Sequence, residues 1–200
     1  MPGAAVARVS YREYLAAEEQ SDVKHEYCDG VVVAMAGGTP DHSRLKSNLL
    51  FRLSVALDGK PCRPFDSDLR VRVPATGLVT YPDVSVICGT FQPDAEDSSA
   101  ATNPTALFEV LSPSTAGYDH GEKFDHYAKL PSLAAYVLVD HTRPHVDLYT
   151  RSSDGSWARR GYGPGERVLV DAIGVSLVVD EIYEGWAALR ETLRAATAAR

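Results

Sequence analysis

Leu107-Phe108-Glu109-Val110-Leu111 is an apolar run interrupted by a single acid. Its length and its large apolar side chains predict a buried strand, ended by Ser112-Pro113-Ser114-Thr115-Ala116-Gly117. An ionised carboxylate inside such a strand is costly unless it is paired or bound to a cation, so Glu109 marks a site. Upstream, Tyr81-Pro82-Asp83 sets a second acid at the head of another apolar segment, Val84-Ser85-Val86-Ile87-Cys88. If the two strands are neighbours, Asp83 and Glu109 can share one metal ion.

Working outward, residues 92–105 are rich in Asp, Ser, Ala, Pro and Thr and predict an exposed loop between the two acid-bearing strands. After the break at 112–117, Asp119 to Leu130 has the pattern of a helix, with Lys123 in its first turns and Pro131 as its stop. Ala134–Val139 and His145–Tyr149 predict paired strands, and Asp154-Gly155 a turn before Trp157. Short strands follow near 168–170 and 176–179, and an alanine-rich helix starts at about Asp180.

Toward the N-terminus, Ser10-Tyr11-Arg12-Glu13 has capping-box spacing ahead of a short helix. Lys24–Cys28, Asp29-Gly30 and Val31–Met35 predict a hairpin, since Asp-Gly supplies the positive φ angles of a two-residue turn. Thr39 and Pro40 then open a helix whose leucines at 45, 49, 50, 53 and 57 lie on one face. Strands follow near 62–66 and at Leu69–Val73. The order fits a single domain over residues 1–200 with one mixed β-sheet flanked by helices, of α/β or α+β class.

Composition bounds the function. The 200 residues carry 20 basic against 27 acidic side chains, a net charge of −7, so the surface as a whole does not attract polyanions and a nucleic-acid role needs a local patch or a metal. Cys28, Cys62 and Cys88 are odd in number and widely spaced without C-x-x-C, which argues against a disulfide framework and a zinc knuckle and favours a reducing cytoplasm. Met1–Ser10 lacks the apolar core of a leader, and no run reaches the roughly 18 apolar residues of a membrane span. There is no G-x-S-x-G elbow, no Walker loop and no G-x-G-x-x-G; His120 and His126 lack the i, i+4 spacing of a helical zinc pair, and His141 and His145 flank a Pro turn.

Glu26-Tyr27, Asp29-Gly30, Tyr81-Pro82-Asp83-Val84, Phe108-Glu109-Val110-Leu111-Ser112-Pro113-Ser114-Thr115, Lys123, Tyr127 and Tyr136-Val137-Leu138-Val139-Asp140 together resemble the Uma-two-type restriction endonucleases. This is a prokaryotic family within the PD-(D/E)XK nuclease superfamily, and the resemblance covers most of the chain. It implies a restriction-endonuclease-like core with the motif's first acid at Asp83 and its second at Glu109. The superfamily's commonest pattern has a lysine two residues after that acid, where this chain has Leu111. In the family the lysine is usually relocated to the following helix, which implies Lys123. Glu26 matches an early acid that approaches the metal through water or positions the lysine.

The implied chemistry is Mg²⁺-dependent phosphodiester hydrolysis, with Mn²⁺ as a substitute, the metal on Asp83, Glu109 and the Val110 carbonyl, and DNA as the substrate. A homodimer with a shared basic cleft would offset the acidic charge. Tyr127, one helical turn from Lys123, can bond within the site or pack in the core. His42, where the family often has a histidine, is either a substrate contact or a satisfied surface residue. Arg70 and Arg72 alternate on one strand face and either meet phosphate or are solvated. Two other readings stay open: a non-catalytic interaction module that keeps the nuclease fold, and a phosphodiesterase acting on small nucleotides.

Overall fold

In a computed structural model the described residues are 8–35, 37–113 and 115–198. Six strands form the main sheet in the order β11 (Trp157–Tyr162), β10 (Val146–Arg151), β9 (Ala135–Val139), β8 (Ala106–Val110), β6 (Val84–Cys88) and β3 (Cys62–Asp66). Only β8 and β9 are parallel. Parallel neighbours cannot be joined by a tight hairpin, so the chain crosses over the sheet between them. That crossover carries two short helices, α3 (Ala116–His120) and α4 (Glu122–Tyr127).

Side chains alternate across a strand, and the alternation decides where the acid goes. Ala106, Phe108 and Val110 face the core formed with helix α2 (Pro40–Ala56), whose Leu45, Leu49 and Leu53 are fully buried. Leu107 and Leu111 face the opposite core, built from Tyr127, Leu130, Leu133 and Tyr136 with Val71, Val73 and Leu78 of a second sheet. Glu109, between them in period, lies on that second face, under the crossover.

The second sheet has the order β2 (Val31–Ala34), β1 (His25–Cys28), β5 (Leu78–Thr80), β4 (Arg70–Val73) and β7 (Ala100–Ala101). Its β1–β2 hairpin turns at Asp29 (φ 44°) and Gly30 (φ 88°), the positive angles that the Asp-Gly pair predicts. Helix α1 (Tyr11–Glu18) starts with the predicted capping box at Ser10 and Glu13 and packs Tyr11 and Tyr14 on Tyr27. A two-stranded sheet of β12 (Arg167–Val170) and β13 (Val175–Val178) completes the core on the α2 side.

The expectation of a mixed sheet flanked by helices is met, with the strands divided among three sheets instead of one. Four local expectations need correction. The predicted helix over 119–130 is two helices, because Gly121 (φ −114°, ψ −101°) leaves helical geometry, and a Cβ there would lie 3.1 Å from the Gly117 carbonyl oxygen. The C-terminal helix is likewise divided into α5 (Val179–Ile182) and α6 (Trp186–Ala198) by Gly185 at φ 73°. The loop 92–105 is not all exposed: Asp97 is drawn inside by Arg70 at 2.9 Å, and Ala100 and Ala101 pair with β4.

The fourth correction concerns the cysteines. Cys62 and Cys88 stand opposite each other on antiparallel β3 and β6 and form a disulfide, with Cα atoms 3.9 Å apart. The adjoining Gly89 N–H donates to the Pro61 carbonyl, which makes this a non-hydrogen-bonded pair, where side chains lie closest. An odd cysteine count requires only that one be left over, and that one is Cys28. No described helix is long and apolar enough to cross a membrane.

Candidate active site

Val84 pairs with Phe108 across β6 and β8, and the next step of that register sets Asp83 opposite Glu109. The ladder stops there, after Pro82, and the freed backbone groups are satisfied by the two acids. The Asp83 N–H donates to Glu109 Oε2 at 3.3 Å, and the Val110 N–H donates to Asp83 Oδ2 at 2.8 Å. The two carboxylates predicted from sequence therefore share one end of adjacent strands.

Lys123 arrives from α4. Its Nζ lies 2.9 Å from Glu109 Oε1, 3.3 Å from Glu26 Oε1 and 3.6 Å from Asp119 Oδ1. The Tyr127 hydroxyl donates to Glu109 Oε1 at 2.9 Å, which gives that side chain a polar role inside the core. Glu26 projects from β1 and accepts from the Thr80 hydroxyl. The structure thus brings together all four predicted side chains, Asp83, Glu109, Lys123 and Glu26. The peptide of Val110 adjoins them at the end of β8.

Three further side chains join the site, and two of them, Asp119 and Thr80, were not singled out in the sequence. Asp119, only 3% exposed, stands four residues before Lys123, and that i, i+4 spacing was the available signal. Thr80 lies on β5, a strand too short to announce itself. His42, weakly indicated in the sequence, places Nε2 3.0 Å from Asp83 Oδ2. Its helix is opened by Thr39, whose hydroxyl accepts from the His42 N–H, so the cap aims the ring. Arg70 is committed to Asp97, and Arg72 bonds the Gly77 carbonyl and stacks over Tyr11. Neither joins the site. Ser112 and Thr115 bond each other at 2.9 Å where the chain leaves β8, while Ser114 of the same motif lies outside the described residues.

Four carboxyl groups here face one ammonium and one imidazole. Burial pushes the Glu109 carboxyl up to about 7 against the opposing pull of Lys123, with Asp83 and Asp119 adding to the rise. Burial works to lower Lys123, but Glu109, Glu26 and Asp119 outweigh it and hold the ammonium well above its ordinary value. Burial would also lower His42, and the Asp83 hydrogen bond reverses the sign. The constellation keeps its lysine protonated and still has negative charge to spare.

That donor set fits a hard cation. Asp83 and Glu109 offer carboxylate oxygens on adjacent strand ends, with Glu26 and Asp119 turned to Lys123 instead. One or two carboxylates are what Mg²⁺ takes from a protein, whereas zinc prefers a fuller cage of nitrogen or sulfur.

Comparison with known proteins gives the family and the fold. The chain is 41% identical over 186 residues to the uncharacterized protein slr1290 of Synechocystis sp. (strain ATCC 27184 / PCC 6803 / Kazusa), covering 93% of this chain and 97% of the relative. It is 37% identical over 147 residues to sll1609 of the same organism, covering 72% and 82%. The fold is that of a crystal structure described as a putative nuclease belonging to DUF820 from Anabaena variabilis ATCC 29413, with TM-score 0.73 and 18% identity over 89% of this chain and 98% of that one. The Uma2 family model, described as "Putative restriction endonuclease", matches residues 11–180, and the chain belongs to that family.

Proposed function

We propose that the protein is a Mg²⁺-dependent endonuclease that hydrolyses phosphodiester bonds of DNA, with Asp83, Glu109 and Lys123 as its working set and Glu26 as the residue that steers the lysine. The observation that supports it best is the single constellation made by three separate chain segments: Asp83 on Glu109 across two strands, and Lys123 Nζ 2.9 Å from Glu109. Asp83, Glu109 and the Val110 carbonyl would hold the metal. Bound there, Mg²⁺, or Mn²⁺ in its place, supplies positive charge against the phosphate and makes water more acidic.

The chain's own residues do the rest. Lys123 is kept protonated by its acids, so it orients the attacking water and neutralises charge that develops on the phosphate oxygens. Glu26 and Asp119 hold the ammonium from two sides, and Tyr127 fixes the Glu109 carboxylate. His42 holds Asp83 from the α2 side.

A nuclease assay on single- and double-stranded DNA and RNA, with Mg²⁺ or Mn²⁺, tests this reading. Cleavage by wild type and its loss in Asp83→Ala is the expected result. Equal activity in both rejects the metal site, and no cleavage by either leaves an interaction module with a nuclease fold.

A further inference from the structure

The row of strand ends does not stop at Asp83. Asp66 of β3 pairs with Val84 of β6, so the next step of that register sets Ser67 beside Asp83, on the side away from Glu109. Neighbouring strands lie about 4.8 Å apart, so Glu109, Asp83 and Ser67 form a line across three strand ends. Lysines converge on its far end. Lys46 Nζ donates to the Ser67 hydroxyl at 3.1 Å, and Lys24 Nζ donates to the Ser67 carbonyl at 2.8 Å. Lys24 also lies 5.3 Å from the ring centroid of Tyr81, two residues before Asp83.

These cations differ in how they are satisfied. Lys24 is paired with Asp68, and the Asp66 carboxylate accepts from the Asp68 N–H. Lys46 is half-buried, and among the described residues its one hydrogen-bond partner is a neutral hydroxyl, with no carboxylate in ion-pair contact. It stands one helical turn after His42 on α2, on the same face, and His42 contacts Asp83. A half-buried ammonium with no carboxylate in ion-pair contact, one strand from the proposed centre and with Asp68 acting on it only at longer range, can take a further anion.

We propose that Lys46, with Lys24 beside it at Ser67, holds the backbone phosphate next to the scissile one, so that the nucleic-acid strand runs along the line Glu109, Asp83, Ser67. This rests on the nuclease reading above. In a chain of net charge −7, Lys46 is the lysine at this edge of the site that has no carboxylate in ion-pair contact.

The test is equilibrium binding of fluorescein-labelled single-stranded and duplex DNA oligonucleotides to the full chain in EDTA, across a salt series. Lys46→Met is expected to weaken binding about fivefold and to make the slope of log K against log salt shallower by about one. Lys46→Arg should restore both. In the cleavage assay Lys46→Met should raise KM and leave kcat unchanged. Lys60→Met is the charge-matched control, since Lys60 bonds the Gly174 carbonyl beyond the opposite end of α2, a helix about 25 Å long. A folded Lys46→Met that binds like wild type with the same salt slope, or a Lys60→Met that weakens binding equally, overturns the inference alone. Wild type that binds no DNA in EDTA overturns this inference, whereas the reading beneath it falls only if wild type cleaves nothing with Mg²⁺ or Mn²⁺.

Discussion

Asp83 and Glu109 are tied together through each other's backbone: the Asp83 N–H rests on Glu109 Oε2, and the N–H that follows Glu109 rests on Asp83 Oδ2. Each acid therefore holds its rotamer before any cation arrives. Asp83→Asn can keep the bond to Val110 through its amide oxygen while losing the charge. We expect a melting temperature near wild type, no Mg²⁺ or Mn²⁺ binding by calorimetry, and cleavage reduced about a thousandfold or more.

Lys123→Met removes the one ammonium shared by Glu109, Glu26 and Asp119. Leaving buried carboxylates without a counter-charge costs about 3 kcal/mol at pH 8 and less at pH 5, where Glu109 can take up a proton. Urea unfolding at the two pH values measures this difference. A loss that is independent of pH would show that the lysine's role in stability is packing.

Glu109 makes the metal-free protein less stable as pH rises. Its folded pKa, about 7, lies above the ordinary 4.5, so the folded state holds the proton more tightly than the unfolded chain does. The stabilisation is fully present below about pH 4.5 and is lost as pH rises through 7, a change on the order of 3 kcal/mol. Asp119, also raised by burial, adds with the same sign. Thermal melts of Glu109→Gln should lose most of this slope. Mg²⁺ favours the ionised carboxyl, so the melting-temperature gain on adding it to wild type should grow over the same window.

The Cys62–Cys88 disulfide predicts a thiol count. Alkylation in denaturant should label one cysteine, Cys28, without reductant and three with it, read by mass. Cys62→Ser should lower stability by about 3 kcal/mol under oxidising conditions and much less under reducing ones.

The sequence made the acid strand, the Asp-Gly hairpin and the leucine face of α2 legible, because each depends on short-range periodicity or on one turn. Motif context named Asp83, Glu109, Lys123 and Glu26, and the structure sets these four side chains together. The sequence did not show the disulfide, since the cysteines meet only through the β3–β6 register, or Asp119, whose importance depends on where the crossover lays α3. Gly121 hid the break between α3 and α4, because a glycine inside a helical pattern is tolerated as often as it interrupts. The burial of Asp97 was equally invisible, as it depends on Arg70 in another strand.

Leu111 occupies the position where the superfamily's commonest pattern keeps its lysine, and here it packs in the core. The cost of that exchange is that no single piece of the chain carries a whole site. The main sheet supplies the acids, the small sheet supplies Glu26, and the crossover supplies the cation. A chain with both sheets formed but the crossover undocked would hold Glu109 and Glu26 without their ammonium. Under the proposed reading, activity would therefore require three separately folded pieces to be docked at the same time.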